Sequence, residues 1–245
     1  MLLTLRAALA LIAFGILCAC QSTSPSQQSA TERRIATTET EIATCITDTC
    51  ERLNIDRGHL SDFSVLGDLT HVTALRMSWT DFADLNDITA MNQLRELHIS
   101  STQISDLSAL SAFPDLDILH LQWSSQVEDF SPITQIPSLK ELALGGNNMG
   151  DMAFVAQLRD LDGLSLIDGS VTSLEALRDH PTLSRLDVRG ADLPDDFSAL
   201  LTMPNLKMVS ISVGSRTETQ KQVIDELKAR GVVVEEILDA VVVIC

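Results

Sequence analysis

The hydrophobic residues from position 50 onward recur with a period of 22 or 23 residues. The segment 94–115, LRELHISSTQISDLSALSAFPD, shows the unit: Leu94, Leu97 and Ile99 stand three and two apart, and a second apolar cluster follows before Pro114. This spacing fits neither the 3.6-residue period of a helix nor the long alternation of a strand. Copies of the unit begin at Cys50, Val72, Leu94, Leu116, Leu139, Leu161, Leu183 and Leu206. An apolar residue occupies places one, four and six of every copy, which predicts an internal repeat.

Places four and six point to the same side of a short strand, because side chains alternate along a strand. One unit cannot bury its own leucines, so successive units must stack. We therefore predict an α/β repeat protein over residues 44–213, a curved solenoid with a parallel β-sheet on the concave face. Short turns or 3-10 helices are expected on the convex face.

A helix-strand cap is predicted for residues 214–245. The segment RTETQKQVIDELKARG has Val223, Ile224 and Leu227 at helical spacing and a Gly231 stop, which predicts an α-helix. The following VVVEEI is expected to form a ninth strand, and the apolar LDAVVVIC a closing edge strand. An apolar tail left exposed there would instead pair with another chain.

The unit resembles the leucine-rich repeat, L-x-x-L-x-L-x-x-N, in the short form of bacterial internalin-like proteins, from residue 50 to about 213. It departs from that family at the asparagine place, where Asn147 alone conforms. The other copies carry Gly58, Thr80, Thr102, Ser124, Gly169, Ala191 and Gly214. In the family this side chain hydrogen-bonds the backbone of the turn. We expect Thr and Ser to replace it in part, and Gly and Ala to leave that task to main chain or water.

Two further residue types recur in register with the repeat. An aspartate precedes the second apolar cluster at Asp62, Asp84, Asp106, Asp129 and Asp151. A proline precedes a new copy at Pro114, Pro137, Pro181 and Pro204. The aspartates are expected to cap a convex turn, with calcium binding as the alternative, and the prolines to end that turn.

The first twenty residues, MLLTLRAALALIAFGILCAC, combine Arg6 with an apolar stretch and small residues before Cys20. This pattern is typical of an export signal, and the stretch is shorter than the about 20 apolar residues that span a bilayer. A buried core helix is the alternative. Leu17-Cys18-Ala19-Cys20 resembles the lipobox of bacterial lipoproteins, which implies a signal peptide over 1–19 and an acylated Cys20. Ordinary secretory cleavage is the alternative.

Gln21 follows Cys20, and by the same resemblance this indicates an outer-membrane lipoprotein that faces the periplasm or the cell surface. Residues 21–42, QSTSPSQQSATERRIATTETEI, offer little to bury. We therefore predict a flexible tether over residues 20–43.

The remaining cysteines are expected in an oxidising compartment, because the chain is exported. Cys45 and Cys50 are close in sequence, and a capping disulfide between them is one interpretation. The other is a buried Cys50 and a free Cys45. A disulfide would leave Cys245 as a spare thiol.

The chain has 245 residues and a net charge of −17. Such a field repels phosphate backbones, so nucleic acid is not expected as a partner. The sequence contains no Gly-rich phosphate loop, no G-x-S-x-G and no H-E-x-x-H, so neither enzyme activity nor a cofactor is predicted.

Equal places of successive copies form columns across the concave face, because strands lie about 4.8 Å apart. Both tryptophans of the protein, Trp79 and Trp123, fall in one column outside the leucine places. Exposed aromatic residues and arginines are typical of binding surfaces. We predict a recognition patch on repeats two to four, formed by Arg76, Trp79, Glu96, His98, His120, Gln122 and Trp123. A metal at His98 and His120 is an alternative, although Glu96 would be the sole third ligand where catalytic zinc needs three.

These observations predict a non-enzymatic, lipid-anchored envelope protein that binds another protein or a cell-wall component through its concave face. A structural spacer lipoprotein without a specific ligand is the alternative function. Oligomeric state is not fixed by the sequence.

Overall fold

A computed structural model describes residues 25–214 and 216–238, with side chains from Ala30 onward. The predicted signal peptide, Cys20 and Cys245 lie outside the described residues. The helices are α1 (Pro25–Asp48) and α2 (Glu218–Ala229). The strands are β1 (Arg52–Asn54), β2 (Ala74–Arg76), β3 (Glu96–His98), β4 (Ile118–His120), β5 (Glu141–Ala143), β6 (Gly163–Ser165), β7 (Arg185–Asp187), β8 (Met208–Ser212) and β9 (Val233–Ile237).

The nine strands form one parallel sheet in sequence order. The register pairs equal places of successive repeats, so that Leu53 lies beside Leu75 and Leu75 beside Leu97. This is the predicted solenoid, with one short strand per repeat. The leucines at place four, together with the later apolar residues of each repeat, form one continuous buried core.

The convex side consists of short 3-10 helices at Phe63–Asp68, Leu85–Ile88, Ser108–Ala112, Ser131–Gln135, Ala153–Gln157, Glu175–Leu177 and Ser198–Thr202. The predicted aspartate caps are present: each carboxylate accepts a hydrogen bond from the backbone N–H two residues on, as Asp62 does from Ser64 at 2.9 Å and Asp129 from Ser131 at 2.8 Å. The same contact occurs at Asp84, Asp106 and Asp151. These carboxylates therefore stabilise the turns.

The asparagine place behaves as expected from its residues. Asn147 is buried, donates to the carbonyls of Leu121 and Leu144 at 2.8 Å each, and accepts from the Ser124 N–H at 2.7 Å. Thr80 replaces it in part, since its hydroxyl donates to the Met77 carbonyl at 2.7 Å. At the glycine positions the main chain closes the turn: Gly58 N–H donates to the Ile55 carbonyl, and Gly169 N–H to that of Leu166.

The prediction of a flexible tether over residues 20–43 is wrong from Pro25 onward, where α1 begins. Thr38, Ile42 and Cys45 are buried on one side of this helix and cover the first repeat. The open end of the solenoid exposes apolar surface, and a helix with a narrow apolar stripe can cover it. Cys45 also forms a disulfide with Cys50, the pairing considered from the sequence.

The C-terminal end carries the predicted helix and ninth strand. Helix α2 begins at a capping box in which Thr217 and Gln220 satisfy each other's backbone N–H groups, and it buries Val223, Ile224 and Leu227. The chain reverses at Gly231, whose φ of 86° suits glycine. The predicted closing strand beyond Leu238 lies outside the described residues. No helix within residues 25–214 and 216–238 has the length and apolar character needed to cross a membrane.

Candidate functional site

The two tryptophans are the most exposed aromatic side chains of the repeats. Trp79 retains 48% and Trp123 44% of its accessible surface. Each lies three residues beyond the last residue of its strand, Arg76 in β2 and His120 in β4. They therefore line the rim of the sheet, in the turns that leave it, and are two strands, or roughly 10 Å, apart.

The turn that carries the tryptophans is left-handed in successive repeats. Positive φ values occur at this place in Arg57, Trp79, Ser101, Trp123, Gly146, Asp168 and Gly190, between 50° and 74°. Bulky residues rarely adopt this conformation, which costs a residue with a Cβ roughly 1–2 kcal/mol. Two large indoles are thus held where the backbone favours glycine.

Each indole is supported by a neighbouring repeat. The guanidinium of Arg57 lies 5.2 Å from the ring centre of Trp79, a cation–π contact. Helix α1 fixes this arginine, because the Arg34 side chain donates to the Arg57 carbonyl at 3.1 Å. On the other side, Trp123 lies against Gly146, where an added Cβ would be 2.2 Å from the indole Cδ1. The glycine therefore provides the space that the Trp123 ring occupies.

A histidine cluster occupies the sheet beside the rim. His98 and His120 are register partners on β3 and β4, with ring centres 4.0 Å apart. His98 Nε2 lies 2.8 Å from Glu96 Oε1, yet this nitrogen has no hydrogen-bond partner of good geometry. Glu96 also binds Arg52 at 2.5 Å, across the small Ala74 of the intervening strand.

Both imidazoles are neutral at pH 7. Burial, and then repulsion from His98 whenever that ring is protonated, lower the pKa of His120 from 6.5 to about 4. Burial and the charge of Arg76 lower the pKa of His98 against the opposing attraction of Glu96. Burial acts to raise the pKa of Glu96, but the hydrogen bond from Arg52, attraction to His98 in its protonated form and the charge of Arg52 outweigh it. The pKa of Glu96 is therefore lowered, and the carboxyl is ionised at pH 7.

The seven predicted residues thus form two adjacent groups. Glu96, His98 and His120 are in contact on the strands, whereas the tryptophans lie about 10 Å further along the chain direction. Arg76 is exposed, with its Nε 3.5 Å from Asp56, and Gln122 is half-buried between the two groups. One expectation changes: His98 is only 8% exposed, so it supports His120 and Glu96 rather than facing a ligand directly.

No group of three or more His, Cys, Asp or Glu side chains within the described parts of the chain is arranged to hold a metal ion. His98 and His120 approach each other through their rings, and Glu96 is already held by Arg52. This geometry does not favour the metal alternative.

Sequence reasoning missed Arg57 and Gly146, which hold the indoles in place. The signal was present in the column itself. Glycine occurs there at Gly146 and Gly190, and a place that accepts glycine in some repeats and large residues in others is typical of a left-handed turn.

Comparison with known proteins agrees with the repeat fold. A family model described as a leucine-rich repeat matches residues 135–151. The structure is similar to that of internalin C2 from Listeria monocytogenes, with 21% identity and a TM-score of 0.65 over 76% of this chain and 80% of the other. The fold is a leucine-rich-repeat solenoid.

A second internalin of L. monocytogenes is similar with 18% identity and a TM-score of 0.64, over 79% of this chain and 57% of that one. At these identities the likeness concerns the leucine-rich-repeat fold alone. No curated protein sequence matches this chain.

Proposed function

We propose that this leucine-rich-repeat protein binds a partner protein through the concave face and its rim, without catalysis. The observation that carries the proposal is the pair of half-exposed tryptophans in left-handed turns. The same conformation recurs in five other repeats, so the feature particular to these two is a large, half-exposed aromatic ring at a place where the backbone favours glycine. Tryptophan and arginine are also the residues that contribute most to protein interfaces.

The role of each residue follows from its exposure. Trp79 and Trp123 provide apolar contact area, and Arg76 and Gln122 provide polar contacts at the surface between them. The backbone N–H of Gln122 donates to the Ser100 hydroxyl. Its side-chain amide forms no hydrogen bond with the described residues, so it is free to bind a partner. The neutral His120 offers one donor and one acceptor.

Anchoring in a bacterial envelope is part of the proposal and derives from the sequence. The lipobox-like Leu17 to Cys20 supports acylation of Cys20 and attachment to a membrane, with the repeats in the periplasm or at the cell surface. Mass spectrometry of the protein from membranes tests this. An N-terminal peptide beginning at acylated Cys20, absent from Cys20→Ser, is the expected result, and an unmodified N-terminus in the wild type contradicts it.

Binding can be measured from the protein's own fluorescence. Trp79 and Trp123 are the two tryptophans of the chain, so all indole emission comes from the proposed interface. Envelope extracts are fractionated for a component that shifts this emission and is captured by the wild type.

The Trp79→Gly/Trp123→Gly double variant should lose capture of that component, while Ser101→Gly, in the same column between them, should retain it. Equal capture by the wild type and the double variant would contradict binding through the tryptophans, whereas the absence of any captured component would favour the spacer function.

A further inference from the structure

The concave face contains a second feature, a hollow of about 230 Å³ between β4 and β8, which begins at His120 in the repeat that carries Trp123 and extends away from Trp79. Its floor lies in the column between the strand leucines, where Ala143 and Ser165 are small and their neighbours His120 and Asp187 are larger. Gly163 leaves further space beside them. The hollow is smaller than the roughly 300–1,000 Å³ of pockets that enclose whole small molecules, and its size suits a single side chain.

The charged groups around the hollow are already paired with one another. Arg185 reaches across β6 to Glu141 at 2.6 Å and also contacts Asp162 at 3.0 Å. Gly163 permits this crossing, since a Cβ there would lie 3.2 Å from the Arg185 Nη2 atom. Asp187 is held by Arg189 through contacts of 2.8 and 2.5 Å. A charged ligand would have to displace one of these partners.

The groups that remain available are neutral. Ser165 makes no side-chain hydrogen bond to any described residue and is half-buried. His120 forms the near wall, and burial keeps its imidazole uncharged at neutral pH. Met208, at the far wall, and Ala143 add apolar surface. An uncharged, mainly apolar group is therefore the complement of the hollow.

We propose that this hollow receives one uncharged apolar side chain of the partner polypeptide and thereby anchors it on the concave face. The inference rests on the proposed function and adds a second contact point, which extends from His120, on the strand before Trp123, to Met208 on β8. Buried anchors of this kind, inserted in a pocket and surrounded by weaker contacts, dominate the affinity of many interfaces.

Phage-displayed random linear peptides, selected on the purified protein, provide the test. The Ser165→Leu variant fills the hollow from its floor. Asn54→Leu adds the same side chain to the same column in β1, five strands away, and is the matched control. Ala143→Leu fills the hollow from another strand and replaces Ser165→Leu if that variant fails to fold by circular dichroism.

The expected result is a set of peptides that share one Leu, Ile, Met or Phe position. Alanine at that position, or Ser165→Leu in the protein, should weaken binding by about 30-fold, while Asn54→Leu changes it less than about twofold. The proposal would be overturned by peptides that bind Ser165→Leu as tightly as the wild type, or by peptides whose shared position is Lys, Arg, Asp or Glu. It would also be overturned if selection on the wild type gave no enrichment over selection on Ser165→Leu. Peptides that ignore Ser165→Leu but are lost with Trp79→Gly/Trp123→Gly would leave the proposed function standing.

Discussion

The turn positions with positive φ, which include Trp79, Ser101 and Trp123, predict an unusual order of stability among glycine and alanine variants. We consider Trp79 and Trp123, each replaced by Gly and separately by Ala, with Ser101→Gly and Ser101→Ala as references in the same column. All three residues have φ between 50° and 58°. Within ordinary strands and helices, glycine is the less stable of the two replacements by roughly 0.5–1 kcal/mol.

At these positions the order should be reversed. A Cβ in the left-handed region costs roughly 1–2 kcal/mol, whereas the extra freedom of glycine in the unfolded chain costs roughly 0.4–1 kcal/mol. Each glycine variant should therefore be more stable than the matching alanine variant by about 0.5–1 kcal/mol. Ser101→Gly should be at least as stable as the wild type, because the Ser101 side chain forms no described hydrogen bond.

The loss of stability caused by removing each indole should be modest. About half of each ring is covered, which corresponds to roughly 100 Å² and at most about 2.5 kcal/mol. Relief of the left-handed conformation offsets part of that loss in the glycine variants. A net cost of about 1–2 kcal/mol leaves a domain of ordinary stability, about 5–15 kcal/mol, folded.

Urea denaturation followed by far-ultraviolet circular dichroism measures these differences without relying on tryptophan emission. Alanine variants as stable as the glycine variants at both Trp79 and Trp123 would refute the argument from backbone conformation. Loss of folding in either glycine variant would show that the indole is part of the core.

Three further perturbations test the support of the site. The pKa of His120 is 6.5 in the unfolded chain and about 4 in the fold, so the stability that its neutral form contributes is present above pH 6.5 and is lost as the pH falls through 4. Between pH 7 and 4 the free energy of unfolding, measured by urea denaturation, should fall by about 2–3 kcal/mol less in His120→Gln than in the wild type. Equal losses would contradict this. Gly146→Ala should displace the Trp123 ring, shift its emission and destabilise the protein by about 1 kcal/mol or more. The loss of stability should be smaller in a Trp123→Gly background, and equal losses in both backgrounds would show that the ring and the glycine are not coupled. Asn147→Ala removes three buried hydrogen bonds and should lower the free energy of unfolding by about 3 kcal/mol. Asn148→Ala, at an exposed position, should lower it by less than about 0.5 kcal/mol, and similar thermal midpoints for the two variants would contradict this.

The solenoid could be predicted from the sequence because the repeat itself carries the information. A leucine displaced by one residue would move to the opposite face of its strand, so the spacing of Leu97 and Ile99 fixes both the strand and its register. The aspartate caps followed for the same reason, since each repeat presents Asp62 or its equivalent at the same place.

Helix α1 was not predictable in the same way. Its buried stripe contains Thr38 among Ile42 and Cys45, within a segment rich in Ser, Thr, Glu and Gln. A sequence with so little apolar surface does not form a stable helix alone, and most helical stability comes from packing. The helix packs on the exposed end of the first repeat, and the composition of the segment alone gives no sign of that contact. The contact of α1 with Arg57 was therefore also missed.

The exposed positions of the tryptophans were predictable, but their conformation and supports required the structure. Column alignment separates Trp79 and Trp123 from the leucine places. It does not show that Gly146 gives space to one ring while Arg57 covers the other, because these contacts depend on side-chain directions between repeats. The adjacency of the two histidines was also predictable, since β3 and β4 pair His98 with His120, whereas the burial of His98 was not.

Charge pairing on the concave face determines what kind of contact a partner can make there. The chain carries a net charge of −17, yet these concave arginines are matched by acids of the same repeat or of repeats one or two strands away. The pairs are Arg52 with Glu96, Arg76 with Asp56, Arg185 with Glu141, and Arg189 with Asp187. A partner that docks on paired charges gains little from Coulomb attraction, because exposed pairs contribute about 0–1 kcal/mol each and are screened by salt. Affinity at this face should therefore depend on the indoles at the rim and the apolar hollow between β4 and β8.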